Sequence, residues 1–287
     1  MAKSVLHTIE AQMGSFSKGQ KLIANYILEN SDKAAFMTAS KLGRTVQISE
    51  STVVRFASEL GYDGYPSMQR ALQEMIRSKL TSIQRIEASN DLLSGQDVVT
   101  AVMQSDMEKI RMAIDEVDRG EFDRVVDKLM AARHIYILGV RSSSFLAGYL
   151  NFYLHLLFEN VMLVQSNAAG EIFEQLFRIG EGDVIIGISF PRYSRVTVNT
   201  IKFAGDRGSD IVAITDSELS PLYQMASAAL LARSEMISFV DSMVAPLSLI
   251  NALIVALGHR MNKDISATFT ELEDIWNEYG IFGKEDE

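Results

Sequence analysis

The chain has 287 residues, 47% of them hydrophobic, and no cysteine, a size for about two domains and a composition that excludes disulfides and cysteine metal sites. The formal net charge of −10 argues against nucleic-acid binding by the chain as a whole, but residues 1–85 hold 11 Lys+Arg against 7 Asp+Glu (net +4) and the remainder 16 against 30 (net −14). A basic N-terminal part on an acidic body fits phosphate contact by one part only.

The first helices are expected over Ser4–Met13 and from Ser17, a possible N-cap, to about Asn30, with Leu22, Ile23, Tyr26 and Ile27 as an apolar stripe. Thr38–Leu60 then reads as two short helices joined by a tight turn. The first is Ala39–Val46 and the turn is Gln47-Ile48-Ser49. Ser49 is a good N-cap, and Glu50 suits the positive end of the helix dipole. On the second helix Val53, Phe56, Ala57 and Leu60 share one face, leaving Ser51, Thr52 and Arg55 on the polar side. A helix read into a major groove needs such a face, with its N-terminal residues near base edges. Ser49, Ser51, Thr52 and Arg55 are therefore candidate DNA contacts, with Lys41 and Arg44 placed to touch the backbone. Gly61 is the expected C′ residue, followed by a breaker-rich turn to Pro66 and a helix from Ser67 to Leu80. Taken alone, the helix pair is equally well read as a solvated surface element.

Periodicity fades over 81–96, the expected linker between a helical domain (1–80) and a second domain (97–287). Helices are expected at 97–117 and 121–131, separated by Gly120. The pattern then alternates. Strands at His134–Leu138, Val161–Val164, Val184–Ser189, Ile211–Thr215 and Ala229–Leu231 are separated by helices at Ser142–Asn160, 168–179, 194–207 and 220–226. A long helix to Met261 and a tail helix at 265–280, carrying Trp276, close the chain; the tail is expected to pack on the body or on a second subunit. Continuous apolar strands alternating with helices predict a five-stranded parallel sheet covered on both faces, a three-layer α/β fold. No N-terminal run resembles a signal peptide. The most apolar segment, Met243–Leu257, is interrupted by Pro246 and Asn251 and reads as too short to span a membrane, so a cytoplasmic protein is expected.

Ligands of open α/β sheets bind beyond the carboxyl ends of the strands. Two strand ends carry chemistry here. One is Gly139-Val140-Arg141-Ser142-Ser143-Ser144; the other is Ser189-Phe190-Pro191-Arg192-Tyr193-Ser194-Arg195. Each puts hydroxyls and arginines before a helix, where outward backbone N–H groups favour an anion and arginine offers a bidentate fork. Arg141, Ser142, Ser143, Ser189, Arg192, Ser194 and Arg195 are the candidate ligand residues; the competing reading makes the serines caps and the arginines surface charges. A phosphosugar isomerase with an accessory helical domain is the alternative function, and its base would come from Glu171, Glu174, His155 or His259. His155 reads as a packed core residue, His259 as a helix-end cation, and neither glutamate has an evident partner. No metal-ligand spacing or cofactor motif occurs, so no cofactor or metal is expected.

The run ISESTVVRFASELGYDGYPSMQ resembles the helix-turn-helix domain of the RpiR family of bacterial transcriptional regulators. The match runs through Ser49, Thr52, Val53, Arg55, Phe56, Leu60, Gly61, Gly64 and Tyr65. The body resembles the sugar isomerase (SIS) domain of the same regulators, including the Ile-Thr-Asp…Ser-Pro-Leu run at 214–222. This resemblance implies a homodimer or homotetramer on double-stranded operator DNA, repression, and a small anionic effector, a phosphosugar held by serine and threonine hydroxyls. Ser143 matches the serine of the first loop, Ser189 the first serine of the second, and Ser194 a position usually held by threonine. Two departures concern the effector. Arg141 stands where the first loop usually has glycine, and Pro191-Arg192 where the second usually has Ser-Gly. The arginines either clamp the anion, accommodate a different one, or partly close the pocket.

Overall fold

A computed structural model of the chain describes residues 5–77, 81–86, 95, 97–166, 168–236, 238–261 and 263–282. The chain divides into two compact units, Met1–Ala101 with Met236–Asp241, and Val102–Glu235 with Ser242–Glu287.

The first unit holds helices α1 (Val5–Gln12), α2 (Lys18–Glu29), α3 (Ser31–Ala34), α4 (Ala39–Thr45), α5 (Glu50–Glu59) and α6 (Tyr65–Arg77). One core joins them. Ile9, Ile23, Ile27, Leu42, Val53, Phe56, Met68 and Leu72 are all at most 2% exposed, and burying a ring such as Phe56 contributes about 2–3 kcal/mol. Ser17 caps α2 through a full capping box with Gln20, whose amide also donates to Glu59 at the end of α5. Leu22, expected in the stripe of α2, is 47% exposed, because Ile23, Ala24 and Ile27 turn inward in its place. Helix α6 starts at Tyr65 rather than Ser67. Pro66 is tolerated there because the first turn needs no N–H from it.

Helix α6 also fastens the approach to the helix pair. The Tyr65 hydroxyl and the Gln69 amide both donate to the Met37 carbonyl (2.7 and 2.9 Å), and Gln73 donates to that of Ala35 (2.9 Å). Burial pushes the Tyr65 phenol up to about 12. Most of the expected linker lies outside the described residues; of its ends, 82–86 is helical, and the buried Arg85 pairs with Asp241 at 3.0 Å within the same unit.

The second unit contains most of α7 (Val98–Glu116), then α8 (Arg119–Ala131), β1 (Ile135–Gly139), α9 (Ser143–Leu157), β2 (Val161–Val164), α10 (Ala169–Gln175), β3 (Val184–Ile188), α11 (Arg195–Asp206), β4 (Asp210–Thr215), a 3-10 turn (Tyr223–Met225), β5 (Ala228–Leu231), α12 (Val244–Met261) and α13 (Lys263–Glu278). Asp118 caps α8 by accepting from the Gly120 and Glu121 amides, so Gly120 lies inside the helix rather than before it. Helix α10 stops at Gln175, short of the expected 179, and α9 ends at Leu157, short of Asn160.

The five strands are all parallel, in the order β2-β1-β3-β4-β5. Side chains alternate between the two faces. Ile135, Ile137, Val184, Ile186, Val212 and Ile214 join the core under α8, α9 and α12; Tyr136, Leu138, Ile185, Ile211 and Ala213 join the one under α10 and α11. That produces the expected three layers.

Helix α12 corrects one expectation. Val244–Met261 is long and apolar enough by composition to cross a membrane. In the fold it packs on α8 and α9 and buries Leu249, Ile250, Leu253 and Leu257 in the core, with 33% of the segment enclosed. The tail helix α13 touches α9 and α12, and Trp276 meets Phe282 edge-on at 5.2 Å.

At the amino ends of the strands, Asp183 is buried and takes both prongs of Arg133 (2.9 and 2.8 Å), His134 Nδ1 (2.9 Å) and the Gly180 amide (3.0 Å). Burial raises its pKa, but the bonds from Arg133, His134 and Gly180 outweigh that and hold it below the usual carboxylate range. A carboxyl depressed in the folded state stabilises the fold above its unfolded value near pH 4 and loses that contribution as pH falls through the folded value. Asp183→Ala is therefore expected to cost about 2–3 kcal/mol at pH 7, the half-exposed Arg133 moderating the penalty of a broken buried pair. The deficit should shrink toward pH 3, which urea unfolding at both pH values checks.

Candidate functional sites

The helix pair is built around one close approach. A Cβ on Gly43 would fall 2.6 Å from the Ile48 carbonyl oxygen, so only glycine lets α4 meet the turn into α5. The turn is closed by the Ile48 amide donating to the Gly43 carbonyl at 2.8 Å. Ser49 caps α5 by accepting from the Thr52 amide, and its hydroxyl lies 3.0 Å from that of Ser51 and 2.8 Å from that of Thr52. Arg55 folds back along this face, donating to the Ser51 carbonyl and the Thr52 hydroxyl at 3.4 Å each. Ser49, Ser51 and Arg55 are exposed while Val53, Phe56 and Ala57 are buried. Arg44 and Lys41 are exposed on α4, with Arg44 donating to Ser40 at 3.2 Å. The structure thus gathers all six DNA-contact candidates on the helix pair, five of them exposed and Thr52 partly so.

In the α/β unit the sheet order reverses between β1 and β3. The chain crosses from β1 through α9 to β2 on one side, and from β3 through α11 to β4 on the other. A crevice opens at such a switch point, beyond the carboxyl ends of the strands. Gly139 pairs with Ile188 across the two strands, so the loops at 140–142 and 189–194 leave side by side. A Cβ on Gly139 would meet the Ser143 carbonyl at 2.5 Å; glycine here lets the first turn of α9 sit against the strand end. Arg141 adopts φ +57°, a left-handed conformation that costs a non-glycine residue roughly 1 kcal/mol. Its carbonyl accepts from the Ser144 amide (3.1 Å) and hydroxyl (2.6 Å). The loop keeps a shape suited to glycine while carrying a guanidinium.

Ser143 and Ser189 are 5% and 4% exposed, and among the described residues neither hydroxyl has a hydrogen-bond partner. Neither hydroxyl oxygen is wholly enclosed, so each reaches solvent with its hydrogen-bonding capacity open. Ser142 and Ser194 occupy the N-cap positions of α9 and α11 without a capping bond from either side chain, against the reading of these serines as caps. Arg141, Arg192 and Arg195 are exposed and form no ion pair among the described residues.

Four further residues organise the second loop. Thr215, at the end of β4, donates to the Ser189 carbonyl at 2.7 Å and lies 2.8 Å from the Ser220 hydroxyl; Asp216 accepts from the Tyr193 hydroxyl at 2.7 Å. The Ile-Thr-Asp…Ser-Pro-Leu run was the only trace of this network in the sequence. The isomerase candidates fare differently. Glu171 is bonded to Ser166, contrary to the expected lack of a partner. His155 is exposed, not packed in the core, because Leu150 and Leu154 occupy the inward side of α9. His259 is exposed in the last turn of α12. A cavity of about 550 Å³ lined by Arg124, Lys128, Gly182, Asp210 and Ser227 opens at the opposite, amino edge of the sheet, away from the serines.

Comparison with known proteins agrees with this architecture. Residues 3–79 match the helix-turn-helix domain of the rpiR family, and residues 128–256 match the SIS domain. A helix-turn-helix domain ahead of a SIS domain defines a DNA-binding transcriptional regulator with a ligand-binding body. Within that class, the chain belongs to the RpiR family. It is 29% identical over 239 residues to an uncharacterised HTH-type transcriptional regulator of Haemophilus influenzae, covering 79% of each chain. It is 24% identical over 215 residues to the HTH-type transcriptional regulator HexR of Pseudomonas aeruginosa, covering 74% of this chain and 73% of that one. Among solved structures it is similar to the NanR protein of Vibrio vulnificus complexed with ManNAc-6P (TM-score 0.60, 24% identity, 98% of this chain and 100% of that one). It is also similar to the sugar isomerase domain of an RpiR transcription factor from Sphaerobacter thermophilus (TM-score 0.59, 23% identity, 62% and 99%).

Proposed function

We propose that this regulator is a sugar-responsive repressor, acting in the cytoplasm as a homodimer or homotetramer on near-palindromic operator DNA. Ser51, Thr52 and Arg55 of α5 contact bases and adjacent phosphates, with Ser49 positioning the helix and Lys41 and Arg44 on the DNA backbone. A phosphorylated sugar binds where β1 and β3 part, its phosphate accepting from Ser143, Ser189 and Ser194 and from backbone amides at the starts of α9 and α11. The observation that carries this reading is the pair of largely buried serines at the topological switch point whose hydroxyls bond no other described residue and stay open to solvent. The relative solved with ManNAc-6P supports the class of effector. The effector controls DNA binding only through different affinities for the DNA-competent and DNA-incompetent states.

The SIS body binds its sugar phosphate without turning it over. Glu171 is engaged by Ser166, and both histidine candidates stand exposed on helix surfaces. A thermal-shift titration of the full chain with hexose and N-acetylhexosamine phosphates tests the pocket. A ligand at a hundred times its Kd stabilises the protein by about 2.7 kcal/mol. That stabilisation should vanish in Ser143→Ala with Ser189→Ala; an undiminished shift in the double variant would place the pocket elsewhere.

A further inference from the structure

Resting on the site assigned above, we infer that the effector carries two anionic groups: a phosphate for the serines, and a second phosphate or a carboxylate for Arg141 and Arg192. The serines and backbone amides of two adjacent strand ends suffice to hold one phosphate. They leave the three guanidiniums of the same two loops without assignment. Arg141, Arg192 and Arg195 are exposed and unpaired among the described residues, whereas several other arginines of this unit are committed to carboxylates: Arg133 to Asp183, Arg233 to Glu116 and Arg260 to Asp127. The arginines at the switch point are therefore an uncompensated positive cluster on an otherwise acidic body.

Their placement is specific. The pairing of Gly139 with Ile188 brings Arg141 and Arg192 out on neighbouring loops. Arg141 holds a left-handed backbone (φ +57°) fixed by the two bonds from Ser144 to its carbonyl. The loop keeps the conformation a glycine would adopt and adds a cation to it. Asp216, which supports the second loop, accepts from the Tyr193 hydroxyl. A planar, permanently charged fork selects carboxylate and phosphate oxygens over sugar hydroxyls. The ligand class is a phosphorylated sugar acid or a sugar bisphosphate, and the shared chemistry is two anions separated by a short polyol.

Calorimetric titration of the full chain distinguishes these cases with three probes on one six-carbon skeleton: glucose 6-phosphate, 6-phosphogluconate and glucose 1,6-bisphosphate. At least one two-anion probe should bind tenfold or more tighter than glucose 6-phosphate, and which of the two does so identifies the second anion. In Arg141→Gly with Arg192→Gly that ratio should fall to about one; Arg141→Gln with Arg192→Gln gives the same readout should glycine loosen the loops. Equal affinities in the wild type, no binding of any probe, or a ratio that survives both arginine pairs would overturn the inference. A wild-type ratio of one together with loss of binding in Ser143→Ala with Ser189→Ala would overturn it while leaving the serine site standing. Unaltered binding in the serine variant would instead remove the site itself.

Discussion

Gly43→Ala should lower the stability of the N-terminal unit by about 2–3 kcal/mol and weaken DNA binding with it. The added methyl would stand 2.6 Å from the Ile48 carbonyl oxygen, with the Glu50 amide at 3.4 Å behind it. These are backbone atoms at a closed turn, so no side chain can swing aside. Overpacking of this kind typically costs about 1–3 kcal/mol, and the upper end applies because the Ile48 amide to Gly43 carbonyl bond must stretch as the helices part. Gly43 is itself buried. The same displacement shifts Ser49, which caps α5, so the polar face turns away from its DNA register. Chemical unfolding reports the first effect and fluorescence anisotropy on upstream DNA the second. An unchanged unfolding midpoint would mean that α4 and α5 are not locked at this point.

Arg55→Ala should leave the fold intact and reduce affinity for operator DNA tenfold or more. Arg55 is exposed, and its present bonds to Ser51 and Thr52 are long, 3.4 Å each, so the guanidinium can leave them for a base or phosphate. Its neighbour Phe56 holds the core instead. A bidentate arginine–base contact is worth about 1–3 kcal/mol, and a phosphate contact would also reduce the salt dependence of binding by about one ion. Sequence-specific loss with an unchanged salt slope assigns Arg55 to a base; uniform loss with a shallower slope assigns it to the backbone. Equal binding by wild type and variant would remove Arg55 from the interface.

Much of this was legible in the sequence, where local chemistry sets local structure. Ser17 and Ser49 read as N-caps and are N-caps. Gly61 was expected to end α5 and does so at φ +89°. Five continuous apolar runs became five parallel strands, because a sheet buried on both faces has no polar side to break the run. Tertiary context supplied the rest. Leu22 and His155 sit on apolar helices yet face outward, and composition cannot say which of several apolar residues a helix turns inward. Asp118 rather than Gly120 marks the boundary between α7 and α8, an Asx cap outranking a glycine. The serines were visible as candidates. Their burial without partners, the sheet order that brings their loops together, and the Thr215–Ser189 bond all depend on contacts between residues far apart in the chain.

The central claim is that sugar-phosphate binding where β1 and β3 part governs DNA binding through α5. One measurement addresses it most directly: the affinity of the full chain for its own upstream DNA, by anisotropy, with and without a saturating sugar phosphate, in the wild type and in Ser143→Ala with Ser189→Ala. Linkage between the two sites predicts a change of about 5- to 150-fold in the wild type, absent from the serine variant although that variant still binds DNA. DNA affinity that no sugar phosphate alters, or an effect that persists without the two hydroxyls, would contradict it.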